Sequence, residues 1–407
     1  MKIAILHYAA HPVVGGVENV VQEHARLLAR AGHQVRIIAG RGAQVDPQIE
    51  FASLPLVDSQ MPEILAMKSA LDTGTVPAEF DALSNEIELQ LRALTAGFDW
   101  LIAHNVCSLH KNLAATSALR RIADAASPRL ILWHHDLAWT SARYRSELHE
   151  GDPWDLLRRD LPGAIQVTVS EARRRELADL IGIPKQRIRV IPNGIDPYEF
   201  LGIDAGTARL ARDLDLPQAD PFLLLPARVT PRKNIEMALR ILGHMQSRSP
   251  RALLVVTGPV GAHNRDNQAY LESLISLSES LGVQDQVVFL TLRTGAPVSD
   301  DAMRQIFRLA DALLFPSREE GFGIPILEAG LVGIPIFCSE IPALLELGGD
   351  HANFFGVGAD PAAVAEQIQT VLSGDHVHRL RKRVLQEYQW DRIYSQHLAP
   401  LLEEPAA

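Results

Sequence analysis

The 407-residue sequence is short of several things, and each shortage narrows its class. It has two cysteines, Cys107 and Cys338, far apart and outside any Cys-rich spacing. A disulfide scaffold is excluded, and both are expected as buried, reduced thiols. No apolar run approaches the roughly 20 residues of a spanning helix, so stable membrane insertion is not expected. The opening MKIAILHY lacks a signal peptide's basic start, long apolar stretch and small-residue cleavage site, and a cytoplasmic location is expected. Positive charge is also scarce: the formal net charge is -10, which argues against a general nucleic-acid binder. No tandem repeat or low-complexity tract stands out, and nothing in the composition speaks to oligomeric state. What remains is globular material, 47% hydrophobic and 22% charged, long enough for two full cores.

Short apolar runs alternate with amphipathic stretches, the pattern of parallel sheets covered by helices, and the chain does this twice. Strand candidates in the first half are residues 2–7, 34–39, 100–104, 129–133, 166–169 and 188–191. In the second half they are 222–226, 252–257, 287–290, 312–315 and 335–338. Ser170 is placed to cap a helix starting at Glu171. Between the halves, PNGIDPYEFLGIDAG (residues 192–206) is rich in turn formers and reads as a linker. The fold class is therefore α/β, two doubly wound Rossmann-like domains facing each other across a cleft. Ligand-binding residues are expected just after strands.

The most informative stretch is SREEGFGIPILEAG, residues 317–330. Gly321 and Gly323 open backbone conformations closed to other residues, and Pro325 suits the first turn of a helix. Glu320 then sits on a loop and Glu328 about one turn into a helix. The free N–H groups of Gly321, Phe322, Gly323 and Ile324 favour an anion, whereas the two carboxylates call for hydroxyls. An anionic, hydroxyl-rich ligand is the implication. In HPVVGGVENVV, Gly15 and Gly16 precede a helix, where bare backbone could approach phosphate or simply turn from strand to helix. In PARVTPRKN, Arg228 and Lys233 follow a strand, as phosphate ligands or as a solvated pair. His134, His135 and Asp136 end another strand, with His135 favoured over His134 as the group that faces a ligand, and His104-Asn105 is a further candidate. No third ligand at convincing spacing makes a zinc site with the two histidines.

Taken together these strings are identified with a family. EGFGIPILEA (residues 320–329) resembles the E-x7-E motif of family 4 retaining glycosyltransferases of the GT-B fold. Residues 15–18 match that family's glycine loop and residues 191–196 its linker signature, while Arg228 and Lys233 stand at the spacing of its phosphate-binding pair. Ala227 departs from the glycine common before that arginine.

The resemblance implies a retaining hexosyltransferase. Its co-substrate would be a nucleotide-diphosphate sugar of GDP-mannose or UDP-glucose type, with no further cofactor and no metal. Arg228, Lys233, Glu320 and His135 would be catalytic, and Gly15, Gly16, residues 321–324 and Glu328 would bind the donor. His104, Asn105, His134 and Asp136 would lie toward a hydroxyl-bearing acceptor, small and soluble or a glycan. It implies domains of 1–195, with helices 375–407 packing back on it, and 196–374. The DLD triplet at 213–215 resembles a metal motif of another glycosyltransferase fold but stands beside the linker. Arg173, Arg174 and Arg175 spread over about 200° of a helix and so do not make one membrane-facing stripe. A sugar-nucleotide epimerase of the same architecture and a non-catalytic nucleotide-sugar binder are the competing readings; the E-x7-E string disfavours the first, and His135-Asp136 speaks against the second.

Overall fold

The computed structural model describes residues 1–123, 128–260 and 266–404. Its contacts divide the chain into two compact units. The first comprises residues 1–194 with the segment from Trp390 onward, and the second comprises Ile195–Gln389.

In the first unit seven parallel strands form one sheet: β1 (Lys2–Ala9), β2 (Gln34–Arg41), β3 (Ile49–Ser53), β4 (Trp100–His104), β5 (Arg129–His134), β6 (Ile165–Thr168) and β7 (Ile188–Val190). Their order is β3-β2-β1-β4-β5-β6-β7. The second unit has six parallel strands: β8 (Phe222–Leu225), β9 (Leu253–Val256), β10 (Val287–Phe289), β11 (Ala312–Phe315), β12 (Ile336–Ser339) and β13 (Asn353–Phe355). They run β10-β9-β8-β11-β12-β13. Both are doubly wound orders that reverse direction beside their first strand, between β1 and β4 and between β8 and β11.

The sheets are buried on both faces, which explains the near-continuous apolar strands. In β1, Ala4, Leu6 and Tyr8 pack in one core cluster and Ile3 and Ile5 in another. All eleven expected strands occur. The two that were not expected, β3 and β13, lie at sheet edges, where a single neighbouring strand demands less apolar sequence. β3 reads IEFAS, with only Ile49 buried, and β13 is the three residues NFF.

The expected linker is not bare chain. Asp196 accepts from the N–H groups of Tyr198 and Glu199 to start the helix Pro197–Phe200, and Asp204 caps the helix Ala205–Asp213. The expected packing of residues 375–407 on the first unit also needs correction. The helix His376–Glu387 belongs to the second unit, because Lys382 forms an ion pair with fully buried Asp311 there at 2.8 Å. Only the segment from Trp390 joins the first unit; residues 405–407 lie outside those described.

That segment inserts Ile393, Leu398, Leu401 and Leu402 into the core shared by Ile3, Ile5, Trp133 and Val167. Trp390 lies directly on Gly194, where an added Cβ would come within 2.6 Å of the indole. A hydrogen atom is the only side chain that fits. Ile393→Ala should therefore lower the first unit's stability by about 2–4 kcal/mol. Urea unfolding read by a first-unit probe checks this, and an unchanged midpoint would contradict the packing.

Candidate active site

Two side-chain constellations lie at carboxyl ends of strands, one in each unit. In the second unit the sheet order makes β8 and β11 neighbours, so the loops that follow them meet. The loop after β8 carries Arg228 and Lys233, and the loop after β11 carries Glu320. Lys233, buried at 8% exposure, forms an ion pair with Glu320 across 87 positions of sequence. Its ammonium also lies 4.9 Å from the centre of the Phe315 ring, a cation-π contact. Arg232 approaches the other Glu320 oxygen at 3.7 Å. The two loops are further tied by the Arg318 N–H donating to the Arg232 carbonyl at 2.8 Å and by the Arg318 guanidinium on Glu236 at 2.7 Å. Arg228 is exposed and forms no ion pair among the described residues.

The helix after this loop runs Ile324–Val332, so Glu328 falls in its second turn as the spacing predicts. Its N-cap, Gly323, has φ +107° and accepts no side chain: an added Cβ would stand 2.6 Å from Leu344. No side chain caps the helix start, whose N–H groups thus stay available to an anion. Burial, and secondarily the Asp300 carboxylate, push the Glu328 carboxyl above its usual range. Two hydroxyls after the same strands, Thr230 and Ser317, are buried without a hydrogen-bond partner among the described residues. Both went unremarked in the sequence, although their place just after β8 and β11 was the available signal.

In the first unit the histidines converge. His104 ends β4 and is fully buried; its Nδ1 is 3.0 Å from Nε2 of His135, which follows β5. The Nδ1 of His7 donates to the His104 carbonyl at 2.8 Å, leaving its Nε2 free to accept and 3.9 Å from Glu18. His134 turns the other way, toward Gln166 on β6 at 2.8 Å, so the two adjacent histidines do diverge. Asn105 has φ +59°, and its side-chain oxygen Oδ1 accepts from the backbone N–H of His135 at 2.8 Å and of Asp136 at 3.3 Å. It shapes the loop that carries His135. His7, Glu18 and His24 were missed: His7 lies near the end of β1, beside β4, and His24 on the helix Gly16–Arg30 packs against Trp133 with the rings tilted and their centres 4.5 Å apart.

Gly15 and Gly16 start that helix, but Gly15 has an extended backbone, and Glu18's carboxylate lies over it, 2.1 Å from where a Cβ would stand. The helix's own glutamate thus occupies the expected phosphate approach. The DLD triplet ends the helix Ala205–Asp213, with Asp215 in the left-handed region, and does not gather metal ligands. Among the described residues the one grouping with metal-capable geometry is Asp72, His110 and Glu147. Lys68 already bridges its carboxylates at 2.5 and 2.8 Å. Arg173 and Arg174 pair with Glu176 and Glu171 of their own helix, which removes any net basic face there. No helix among the described residues is long and apolar enough to cross a membrane.

Residues 14–199 match the profile described as Glycosyltransferase Family 4, and residues 207–387 that described as Glycosyl transferases group 1. A D-inositol 3-phosphate glycosyltransferase of Xylanimonas cellulosilytica is 30% identical over 383 residues, 89% of this chain and 84% of that one. The chain belongs to glycosyltransferase family 4. Its two doubly wound units are those of the GT-B class. Another family relative, the D-inositol 3-phosphate glycosyltransferase of Nocardia farcinica, is 27% identical over 94% of this chain and 83% of its own. An uncharacterized glycosyltransferase of Methanocaldococcus jannaschii is 30% identical over 56% of this chain, and the match spans only 57% of that relative. Sucrose-phosphate synthase of Thermosynechococcus elongatus aligns over 98% of each chain at 16% identity and a TM-score of 0.37. The fold of this family 4 chain rests on its two sheets, not on that alignment.

Burial keeps the family 4 chain's central imidazoles uncharged. It lowers His24 to about 3, His134 to about 4 and His135 to about 3, and it holds His104 well below the usual histidine range. These groups stay neutral when folded but protonate near pH 6.5 when unfolded, so the unfolded chain binds more protons between those values. Stability should fall as pH drops from 6.5 toward 3, by about 2 kcal/mol per such histidine between pH 7 and pH 5. Urea unfolding at both pH values checks the sign, and His24→Leu should flatten the slope by one histidine's share.

Proposed function

We propose that the protein moves a hexosyl group, with retention, from a nucleotide-diphosphate sugar to a hydroxyl acceptor, and that it needs no metal. The observation that carries this reading is the buried Lys233–Glu320 pair beside an uncapped helix start, with Glu328 one turn beyond. A nucleotide sugar has a feature for each part. Glu320 accepts from sugar hydroxyls, Glu328 from ribose hydroxyls, and the N–H groups of residues 321–324 donate to the diphosphate. An ammonium has three donors; Glu320 takes one of Lys233's, and the others remain for phosphate oxygens. Arg228 adds a second, unpaired cation.

Negative charge grows on the leaving diphosphate as the glycosidic bond breaks, and preorganised cations act where that charge develops. Front-face attack by the acceptor lets the leaving phosphate take its proton, so Glu320 need not be a nucleophile. The first unit supplies the acceptor side. There the neutral His135, oriented by His104 and by the Asn105 bonds to its loop, offers a ring nitrogen to a hydroxyl. The relatives' inositol 3-phosphate is in line with a small, soluble polyol acid as acceptor. GDP-mannose and UDP-glucose types are the donors to try first.

Arg228→Ala or Lys233→Ala should each reduce turnover by at least about a hundredfold, because the lost cation acts in the transition state. Product analysis over a panel of nucleotide sugars measures it; near wild-type turnover in both variants contradicts the clamp. Transfer, isomerisation of the donor, or binding alone also separates this reading from an epimerase and from a binding protein. EDTA should leave the rate unchanged, and a loss restored by magnesium or manganese would overturn metal independence.

A further inference from the structure

The second unit contains a cavity of about 590 Å³ at the opposite end of its sheet from Lys233 and Glu320. It lies beside Asp220 and Pro221, which lead into β8, and is walled by the helices Pro361–Gly374 and His376–Glu387. We propose that it is a binding site for a small phosphorylated polyol, separate from the donor site.

The cavity wall is predominantly cationic. Four cations line the cavity, Arg248, Arg379, Lys382 and Arg383, against two carboxylates, Asp220 and Glu387, in a protein of net charge -10. Most of these charges are already matched: Lys382 by Asp311, Arg383 by Glu387 at 3.0 Å, Arg248 by Glu366 at 3.8 Å, and Asp220 by Arg251 at 3.6 Å. Arg379 is the lining cation with no carboxylate partner among the described residues. Among those residues its guanidinium hydrogen-bonds only with the His376 ring, at 2.7 Å. An arginine left with spare donors is suited to a phosphate, which its planar fork can hold through two parallel bonds.

The cavity's shape and lining suit the polyol part of such a ligand. The volume is within the range of small-ligand pockets and exceeds what an inorganic ion fills. Ser249, Thr370, Ser373 and Gln386 bring neutral donors and acceptors to the wall, which suit hydroxyls rather than a hydrocarbon. The floor is fixed: Asp311 is fully buried and accepts from the Phe222 N–H at 2.7 Å and from Lys382 at 2.8 Å, which anchors the helix bearing Arg379 to the sheet. Such anchoring lowers the ordering cost of binding.

Isothermal titration of the full-length protein with glucose 6-phosphate, and with glucose as control, tests the site. Saturable binding of the phosphate ester and none of glucose is expected. Arg379→Glu, at an exposed position, should weaken it at least about tenfold, the loss of one charge-assisted contact. Ser373→Trp should block it by filling the cavity, and Lys233→Ala should leave it unchanged. No saturation in the wild type, undiminished binding in Arg379→Glu, or loss of binding in Lys233→Ala would each overturn the proposal. Glucose 6-phosphate also resembles the proposed acceptor, so Arg379→Glu and Ser373→Trp, both in the second unit, separate this site from the acceptor side around His135 in the first; the readout is binding and does not depend on the transfer activity.

Discussion

The constraint on which the second unit's chemistry depends is the order of its parallel strands. β8 and β11 are hydrogen-bonded neighbours although two strands intervene in sequence. A parallel sheet needs a crossover to bring the chain back to the same end before each strand, and the doubly wound order places the fourth strand beside the first. That arrangement brings Lys233 to Glu320, and burial then makes each the other's obligatory partner. An isolated ammonium or carboxylate at that depth would be costly, so the pair holds the two loops in one register. The uncapped helix start and the Arg228 side chain are positioned by the same two loops.

The first unit uses the same strand order for different chemistry. Where the second unit presents charge, the first gathers neutral imidazoles from the ends of β1, β4 and β5 and from the helix Gly16–Arg30. Each has been desolvated to the point that protonation is unfavourable, and the Nδ1 of His7 is committed as donor to a carbonyl. A histidine held this way is a dipole of fixed direction rather than a charge, which suits orientation of a neutral hydroxyl.

Much of this was legible in the sequence, for physical reasons that also explain what was not. A strand buried on both faces must be apolar throughout, so the central strands announced themselves; edge strands such as β13 need not be and did not. The Glu320–Glu328 spacing followed from Gly323 and Pro325, whose backbone limits are local. The contributions of His7, Glu18 and His24 depend on neighbours about a hundred residues away or on a helix face, and no local rule marks them. The boundary at Trp390 was misplaced for a similar reason. Helices 375–407 were expected to pack back as one block, and only the buried Asp311–Lys382 pair shows that residues 376–387 stay with the second unit.

The division of the chain has a consequence for synthesis. The first unit is discontinuous: its sheet is complete by Val190, yet the residues that cover one of its faces, from Ile393 to Leu402, emerge only after the whole second unit. Translation at about 5–20 residues per second separates the two events by roughly 10–40 s. Through that interval the face bearing Ile3, Ile5, Trp133 and Val167 lacks its final layer and is open to unwanted association. The exposure lasts from the making of the first sheet until the segment from Trp390 is made, and slow translation of the second unit would lengthen it.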